Sequence, residues 1–352
     1  MAKPKILVTG ATGKTGGQVA AQLRSQGYPV RVFVRAQDDR SVKLTAAGCE
    51  LAVGDLSNPE QLLDAMEGVQ RAYFLPPFDP YMIQSATAFA VAARQAKLES
   101  LVVLSQWLAN PAHPSLATRQ HWLADNMFTM LPDTALTIVN PGFFADVPYM
   151  SMIRYAAHLG VFPVPARGSS KNAPPSVDDI ARVSVAALMD PLKHAGQRYR
   201  PTGPEMLSLD DMALIMGKVL GRKVRHVQMP MWMFYKAARM DGLDHFLLSQ
   251  VGAYLQDHDR GAFELGGPTN DVLETTGRRP ESFETITRRH AARPEVTRNV
   301  GNFLRTLTGF LSVPVRPGFS PSQFSRTLHM PAVRQPVLSA DSDFWRQEHS
   351  IS

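Results

Sequence analysis

The chain has 352 residues, a mass of 38.8 kDa and 44% hydrophobic residues, enough for one large domain with a smaller one attached. Its single cysteine, Cys49, excludes an internal disulfide and any multi-cysteine metal site, and we expect no bound metal. No apolar run approaches the roughly 18 residues that a membrane helix needs, and the chain begins almost directly with a strand. The sequence therefore predicts a cytoplasmic protein without a transmembrane segment.

The net charge of +6 and the pI near 9.5 raise the question of a nucleic-acid partner. Arginine is concentrated late in the chain, between residues 278 and 305, but no basic run there is interleaved with aromatic residues. This distribution argues against nucleic acid as a partner. It favours a solvated basic face or a site for small anionic ligands.

Residues 5–35 read as strand, glycine turn, helix and strand. Residues 6–8 are a short apolar run, glycines follow at three-residue spacing, and apolar residues then recur at helical spacing up to Gly27. Gly10 suits a sharp turn, Gly13 lets a pyrophosphate approach the backbone, and Gly16 lets the helix lie close to the strand. Because the helix amino terminus then faces the phosphates, this context predicts nucleotide binding.

The second strand, residues 30–34, ends at Arg35. An acid at this place would bond the ribose 2′-hydroxyl of NAD, whereas an arginine suits the 2′-phosphate of NADP. Arg35 therefore favours NADP(H). The alternative is an arginine that only forms a salt bridge to Asp38 or Asp39.

Strands and helices continue to alternate up to residue 144. We predict strands at 50–55, 70–75, 101–104 and 134–139, and helices at 59–66, 81–97 and 116–131. Asp55, at a strand end, is placed to bond the adenine amino group, and Pro76-Pro77 opens a loop near the nicotinamide side. The order implies an α/β fold, a Rossmann-type doubly wound parallel sheet, with ligands at the strand carboxyl ends.

The regular alternation fails after Ala145. We predict a helix at 177–189 and another, capped by Ser208 and Asp210, that runs to Val219. Residues 229–255 carry methionine and aromatic residues at helical spacing, which indicates either a core face or the lining of an apolar substrate pocket. The expected division is a nucleotide-binding domain at 1–155 to which 176–190 returns, a smaller, mainly helical substrate-binding domain in the rest of 156–290, and a carboxyl-terminal extension of unknown role at 291–352.

One segment of that extension, residues 296–315, has apolar residues at spacings of three and four with Arg298 and Arg305 between them. The pattern predicts an amphipathic helix. Packing into a core is one interpretation, and a subunit or membrane-surface contact is the other.

Several motifs resemble those of the NmrA-like branch of the atypical short-chain dehydrogenase/reductase superfamily. They are Val8-Thr-Gly-Ala-Thr-Gly-Lys-Thr-Gly16, Arg35, Gly54-Asp55, Asn140-Pro-Gly142 and Thr276-Gly-Arg-Arg-Pro-Glu-Ser-Phe283. The resemblance covers roughly residues 5–291. It implies a Rossmann domain with a small substrate domain, and NADP(H) as the cofactor. The candidate cofactor-binding residues are Gly10, Thr12, Gly13, Lys14, Thr15, Gly16, Arg35, Asp55, Leu56, Leu75, Pro76, Ser105, Pro141, Gly142 and Phe143.

The chain departs from this pattern at the expected proton donor. Typical reductases of the superfamily use a tyrosine with a lysine four residues later, but here those places hold His121 and Asp125. His121 could donate the proton in place of the tyrosine, since an imidazole titrates near neutral pH. The alternative is a structural histidine at the interface of the domains.

Two functions follow from the resemblance, because fold membership alone does not choose between them. The first is an NADPH-dependent reductase that passes a hydride to a quinone-like or carbonyl small molecule of apolar or aromatic character, with the proton from His121 or water. The second is a non-catalytic NADP(H) sensor that acts through a protein partner. The sequence also leaves room for a homodimer.

Overall fold

The structure is a computed structural model that describes residues 2–350. Its strands are β1 (Ile6–Thr9), β2 (Val30–Val34), β3 (Glu50–Val53), β4 (Arg71–Phe74), β5 (Ser100–Leu104), β6 (Ala135–Val139), β7 (Val161–Val164), β8 (Lys171–Asn172), β9 (Arg198–Tyr199), β10 (Leu207–Ser208) and β11 (Arg225–Gln228). Seven of them form one parallel sheet in the order β3-β2-β1-β4-β5-β6-β9. The short strands pair separately, β7 with β11 and β8 with β10.

Sixteen α-helices are present in the described part of the chain. They are α1 (Lys14–Ser25), α2 (Asp39–Ala46), α3 (Pro59–Ala65), α4 (Met82–Gln95), α5 (Leu116–Phe128), α6 (Ile153–Leu159), α7 (Val177–Met189), α8 (Pro191–His194), α9 (Leu209–Leu220), α10 (Met231–Met240), α11 (His245–Asp259), α12 (Asp271–Thr276), α13 (Phe283–Ala291), α14 (Val300–Ser312), α15 (Pro321–Thr327) and α16 (Asp343–Ser350). Together with the sheet they confirm the predicted α/β class.

The sheet is buried on both faces because helices cover it twice. Along β1, Ile6 and Val8 enter one apolar core while Leu7 enters the other. Helices α1 and α7 cover the first face, and α3, α4 and α5 cover the second. This arrangement is the doubly wound Rossmann fold.

The strand order reverses at β1, which lies between β2 and β4. The connections leave β1 and β4 in opposite directions, so a crevice opens at their carboxyl ends. The glycine turn that follows β1 and the loop that follows β4 meet in this crevice. The fold thus positions the predicted nucleotide site where open α/β sheets bind ligands.

A second core lies outside the sheet and is built from α6, α9, α13 and the β7–β11 pair. Its large buried side chains include Tyr149, Phe162, Met212, Met216, Phe283 and Ile286. This smaller, mainly helical unit stands over the carboxyl ends of the strands, since the chain enters it directly after β6 through a π-helical turn at Ala145–Tyr149.

The end of the described chain packs back onto the molecule. Trp345 is fully buried, and its Nε1 donates to Trp107 O at 3.0 Å. The backbone N–H of Ala340 donates to Asp257 Oδ1 at 2.8 Å. Residues 338–349 therefore join the loop after β5 to α11.

Helix α14 confirms the amphipathic helix predicted within residues 296–315, but only one side of it enters a core. Thr306 is buried, and the Phe310 ring lies 6.0 Å from that of Tyr155 on α6. The apolar residues on the neighbouring side, among them Leu304 and Leu311, are exposed. Within residues 2–350 no helix combines the length and apolar character needed to cross a bilayer.

Three details differ from the sequence prediction. Helix α2 was missed; its capping box pairs the Asp38 side chain with the Ser41 backbone and the Ser41 hydroxyl with the Asp38 backbone. The acid that completes the capping box of α9 is Asp211, not Asp210, because only the third helical residue can reach back to Ser208. Residues 191–199 also pack with the main sheet, since α8 contacts β6 and β9 pairs with β6.

Candidate functional site

The glycine turn after β1 has no room for side chains at two positions. Gly10 has a φ of +65°, and a Cβ there would lie 2.5 Å from Leu75 Cδ2. A Cβ on Gly16 would lie 2.5 Å from the Gly10 carbonyl oxygen. Gly10 therefore makes the turn and Gly16 lets α1 pack against it, which are the roles the sequence predicted for them.

The amino terminus of α1 carries no side-chain cap. Its N-cap residue is Gly13, which offers no acceptor, and its first turn holds no acid. By contrast, Asn58, Ser115 and Ser176 cap α3, α5 and α7 through their side chains. The unpaired N–H groups at the start of α1 give it a partial positive charge that suits a phosphate.

The loop after β4 is fixed to this turn. The Leu75 backbone N–H donates to Thr9 Oγ1 at 2.8 Å. The hydrogen bond holds Leu75 and Pro76 over the carboxyl end of β1. Both residues accordingly line the crevice beside Gly10.

Arg35 lies exposed at the end of β2 and forms no ion pair among residues 2–350. Its suggested partner Asp38 has other partners. Asp38 caps α2, and its Oδ2 lies 2.6 Å from Arg40 Nη2. The structure thus gives no support to a salt bridge from Arg35 to Asp38. The guanidinium is free to meet an anion at the mouth of the crevice.

Asp55 follows β3 and is held by its neighbours. Its Oδ1 accepts from the Ser57 N–H and hydroxyl, both at 2.8 Å, and its own N–H donates to Gln61 Oε1 at 2.8 Å. These Ser57 bonds, and then the positive charge of Arg35, keep the pKa of Asp55 below its ordinary value. The carboxylate is therefore ionised and fixed in orientation at neutral pH.

One cavity of about 830 Å³ runs from the glycine turn to the helical unit. It is lined by fourteen of the residues singled out from the sequence: Gly10, Thr12, Gly13, Thr15, Arg35, Asp55, Leu56, Leu75, Pro76, Ser105, His121, Pro141, Gly142 and Phe143. Lys14 and Gly16 are absent from its lining. Lys14 is exposed and Gly16 is buried under the turn.

The far end of the cavity has an aromatic wall. The rings of Phe143 and Phe263 are stacked, with centroids 5.5 Å apart at 24°, and the Tyr254 ring lies 5.9 Å from that of Phe143. Leu247 and Val251 of α11 extend the wall. This end suits a flat apolar or aromatic molecule.

His121 is buried on α5 and lines the cavity. Burial lowers its pKa to about 4, because no acid compensates the charged ring. Its Nδ1 has no hydrogen-bond partner among the described residues. The imidazole is therefore neutral at pH 7, which makes it a weak proton donor but leaves it able to form a hydrogen bond.

Asp125, at the place of the expected lysine, lies in a structural cluster. Its Oδ2 accepts from Ser105 Oγ at 2.8 Å, Asn140 Nδ2 at 3.3 Å and Arg198 Nη1 at 2.8 Å. Ser105, Asn140 and Arg198 stand at or beside the ends of β5, β6 and β9. Asp125 therefore ties strand ends together, and it is absent from the cavity lining.

Tyr254 and Gln106 are among the polar residues of the cavity that the sequence reasoning missed. The Tyr254 hydroxyl donates to Gln106 Oε1, and burial raises the pKa of this phenol well above its usual range. A signal was present, since Leu247, Val251 and Tyr254 recur at helical spacing within the segment read as core or pocket lining. Gln106 carried no such signal, because its partner is 148 residues away.

Comparison with known proteins shows the family of the chain. The NmrA-like family profile matches residues 2–129. The NAD(P)H azoreductase of Xenophilus azovorans is 31% identical over 293 residues, which cover 82% of this chain and 98% of that protein. The chain belongs to the NmrA-like family. Residues 2–129 comprise the glycine turn, Arg35, Asp55 and all of α5.

Solved structures similar to this NmrA-like protein show the same fold. A triphenylmethane reductase of a Citrobacter species, complexed with NADP(H), has a TM-score of 0.70 at 21% identity, covering 81% of this chain and 99% of that one. An NADPH-dependent quinone oxidoreductase of Escherichia coli, complexed with NADPH, has a TM-score of 0.68 at 20% identity, covering 80% and 98%. NmrA itself, a negative transcriptional regulator complexed with NADP, has a TM-score of 0.63 at 19% identity, covering 82% and 95%.

Proposed function

We propose that this protein is an NADPH-dependent reductase that transfers a hydride to a quinone-like or related flat aromatic acceptor. The observation that carries the proposal is the continuous cavity, which joins an uncapped helix terminus at one end to the aromatic wall at the other. The identity to an NAD(P)H azoreductase along most of both chains supports it. The quinone and dye reductases among the solved structures share the fold.

NADP(H) fits the residues that line this cavity. The free N–H groups of α1 and the bare backbone of Gly13 would hold the pyrophosphate, and Arg35 would pair with the 2′-phosphate. Asp55 would accept from the adenine amino group. Ser105, Pro141, Gly142 and Phe143 would border the nicotinamide, whose reduced ring supplies the hydride when bound.

The acceptor would stack on the aromatic wall, and its proton would come from water. His121 is neutral at pH 7 and Tyr254 has a raised pKa, so neither releases a proton readily. Hydroquinone oxygens need no protein acid, because solvent protonates them after the hydride arrives. Among the two acceptor classes, this site therefore favours quinones over simple ketones, with His121 and Tyr254 orienting the acceptor by hydrogen bonds.

The test is NADPH oxidation, followed by the loss of dihydronicotinamide absorbance, against quinones, azo dyes and ketones. We expect turnover with quinones at a rate at least about tenfold above that with ketones. Gly13→Val is the control that loses cofactor binding and hence all turnover. Ketone turnover equal to quinone turnover would contradict the quinone-like assignment.

A non-catalytic NADP(H) sensor is the second candidate. It is favoured by the missing tyrosine and lysine, whose places hold a neutral buried histidine and a buried structural aspartate. The sensor predicts tight NADPH binding with no turnover of any acceptor. That result would replace the reductase.

The domain division and assembly are also proposals. The contact of α7 with α1 supports the return of 176–190 to the nucleotide-binding unit, and the pairing of β9 with β6 extends that return to residue 199. The second core supports a substrate unit in 156–290, but it also contains Tyr149 and Ile153, so we propose that this unit begins near Ala145 and not at residue 156. Residues 291–352 remain an extension. A homodimer and a cytoplasmic location stay predictions, which sedimentation and cell fractionation would test.

A further inference from the structure

Helix α14 presents more apolar surface than the protein covers. Successive residues of a helix are about 100° apart, so Val300, Leu304 and Leu311 fall within roughly 40° of one another. These side chains are 75%, 50% and 65% exposed. The buried Thr306 and the partly buried Phe310 lie on the adjacent inward side. A complete apolar stripe is thus left beside the side that packs.

The stripe continues onto neighbouring elements. Val315, just after α14, is 84% exposed, and Trp232 of α10 is 52% exposed. Lys236 connects the two elements: its Nζ donates to Pro314 O at 2.6 Å and lies 5.2 Å from the centroid of the Trp232 ring. We call this surface, made by Val300, Leu304, Leu311, Val315 and Trp232, the α14 face.

The segment that carries α14 is positively charged, and three of its arginines, Arg298, Arg305 and Arg316, lie on the helix or within four residues of its ends. Residues 296–340 contain five arginines and no Asp or Glu: Arg298, Arg305, Arg316, Arg326 and Arg334. None of the five forms an ion pair among residues 2–350. Lys236 and Arg239 of α10 donate to the carbonyls of Pro314 and Gly318, and neither side chain forms an ion pair among residues 2–350, so their charges are also unneutralised.

We propose that the α14 face docks the protein on an anionic phospholipid bilayer. The aliphatic side chains and Trp232 would enter the boundary between headgroups and acyl chains, and the arginines would contact lipid phosphates. A tryptophan beside a lysine is typical of membrane interfaces, where the indole has an apolar body and a polar N–H. The protein would bind peripherally, along the plane of α14.

The charge favours a bilayer over the alternative partners. A two-fold contact between copies of the protein would bring the arginines beside the α14 face close to the same arginines of the second copy, and residues 296–340 hold no acid to neutralise them. A nucleic acid would neutralise the arginines but would leave the Val300, Leu304 and Leu311 stripe beside phosphates. A bilayer of anionic lipids accommodates both features.

The experiment is co-sedimentation: sucrose-loaded vesicles are pelleted with the full-length protein, and the bound fraction of the protein is measured. One set contains phosphatidylcholine with about 30% phosphatidylserine, and the other contains phosphatidylcholine alone. We expect binding at least about tenfold stronger to the anionic vesicles, and a decline with added salt because screening weakens the arginine contacts.

Two double variants test the face itself. Leu304→Glu with Leu311→Glu should reduce vesicle binding at least about tenfold, because both acids would enter the headgroup boundary. The matched control is Leu192→Glu with Leu214→Glu, which adds the same charge at exposed leucines of α8 and α9 and should lose far less. Arg305→Gln with Arg316→Gln should weaken binding to anionic vesicles by roughly 25-fold, about fivefold per arginine.

Several outcomes would overturn the proposal. They are no binding to anionic vesicles, equal losses in the α14 pair and the control pair, or a native mass that falls from dimer to monomer in the α14 pair without a change in vesicle binding. Equal affinity for duplex DNA, lost in the same variants, would also overturn it. If the leucine pair is unfolded by circular dichroism, the arginine pair, at exposed positions, decides the question.

Discussion

The two ends of the cavity are built in opposite ways. The phosphate end consists of backbone from one short stretch, the turn from Gly10 to Gly16 and the uncapped start of α1. The acceptor end consists of side chains from distant parts of the chain, among them Phe143, Tyr254 and Phe263. Local geometry suffices for the first end, whereas the second exists only when the helical unit is docked.

This difference separates cofactor binding from turnover. Damage to the phosphate end should remove the cofactor and leave the fold intact. Damage to the packing behind the acceptor end should affect stability and turnover while the folded fraction still binds NADPH. The following predictions test this separation.

The largest effect is expected from Trp345→Ala, behind the acceptor end. Trp345 is fully buried and bonds to Trp107 O, while Trp107 Nε1 donates to Ala262 O at 2.8 Å, next to Phe263. The cavity left by the indole should lower the free energy of unfolding by about 3–5 kcal/mol. Chemical denaturation measures this loss. The exposed neighbour Phe344, changed to Ala, is the control and should cost below about 1 kcal/mol.

Gly13→Val should next abolish cofactor binding at the phosphate end. The branched side chain would occupy the space of the pyrophosphate, and NADPH affinity should fall roughly 100-fold or more, about 2.7 kcal/mol. A Cβ here lies 3.2 Å from Gly10 O, so the fold should adjust. Titration calorimetry and circular dichroism measure the two effects, with Gly13→Ala as the milder control. A folded variant with normal affinity would refute the assignment of the turn.

Arg35→Ala should weaken NADPH binding by about 1.5–3 kcal/mol, roughly tenfold to more than a hundredfold. NADH affinity should stay unchanged, because NADH has no 2′-phosphate. Arg40→Ala is the control, since Arg40 is already paired with Asp38. Equal binding of NADH and NADPH by the wild type would refute the role of Arg35.

The sequence predicted what depends on neighbouring residues. The alternation of strands and helices, the glycine turn and the helix at 177–189 all follow from spacing and capping within a few residues. The same local logic could have found α2, since Asp38 and Ser41 form its capping box, but Asp38 was considered only as a partner of Arg35.

What the sequence could not predict depends on docking between distant segments. The contact of Tyr254 with Gln106 spans 148 residues, and the pKa of His121 is set by burial that no local pattern reveals. Helix α14 is the intermediate case. Its amphipathic pattern was evident, but the pattern did not show that its apolar width exceeds the core that receives it.

The smallest effect is expected from His121→Phe with a quinone acceptor. With a pKa of about 4, the protonated fraction of His121 falls tenfold for each pH unit above 4, to roughly 0.1% at pH 7. Turnover with quinones should therefore stay within about threefold in the variant, and wild-type turnover should not follow the titration of a histidine between pH 6 and 8. Steady-state rates with quinones and ketones across that range measure both points, with NADPH affinity as the control.

A loss of 10²–10⁴-fold confined to ketones would show that His121 donates a proton, because that is the range of a removed general acid. Large and equal losses of turnover with both acceptors would instead mean that the imidazole maintains the structure of the acceptor end. In that case α5 would belong to the acceptor end of the cavity.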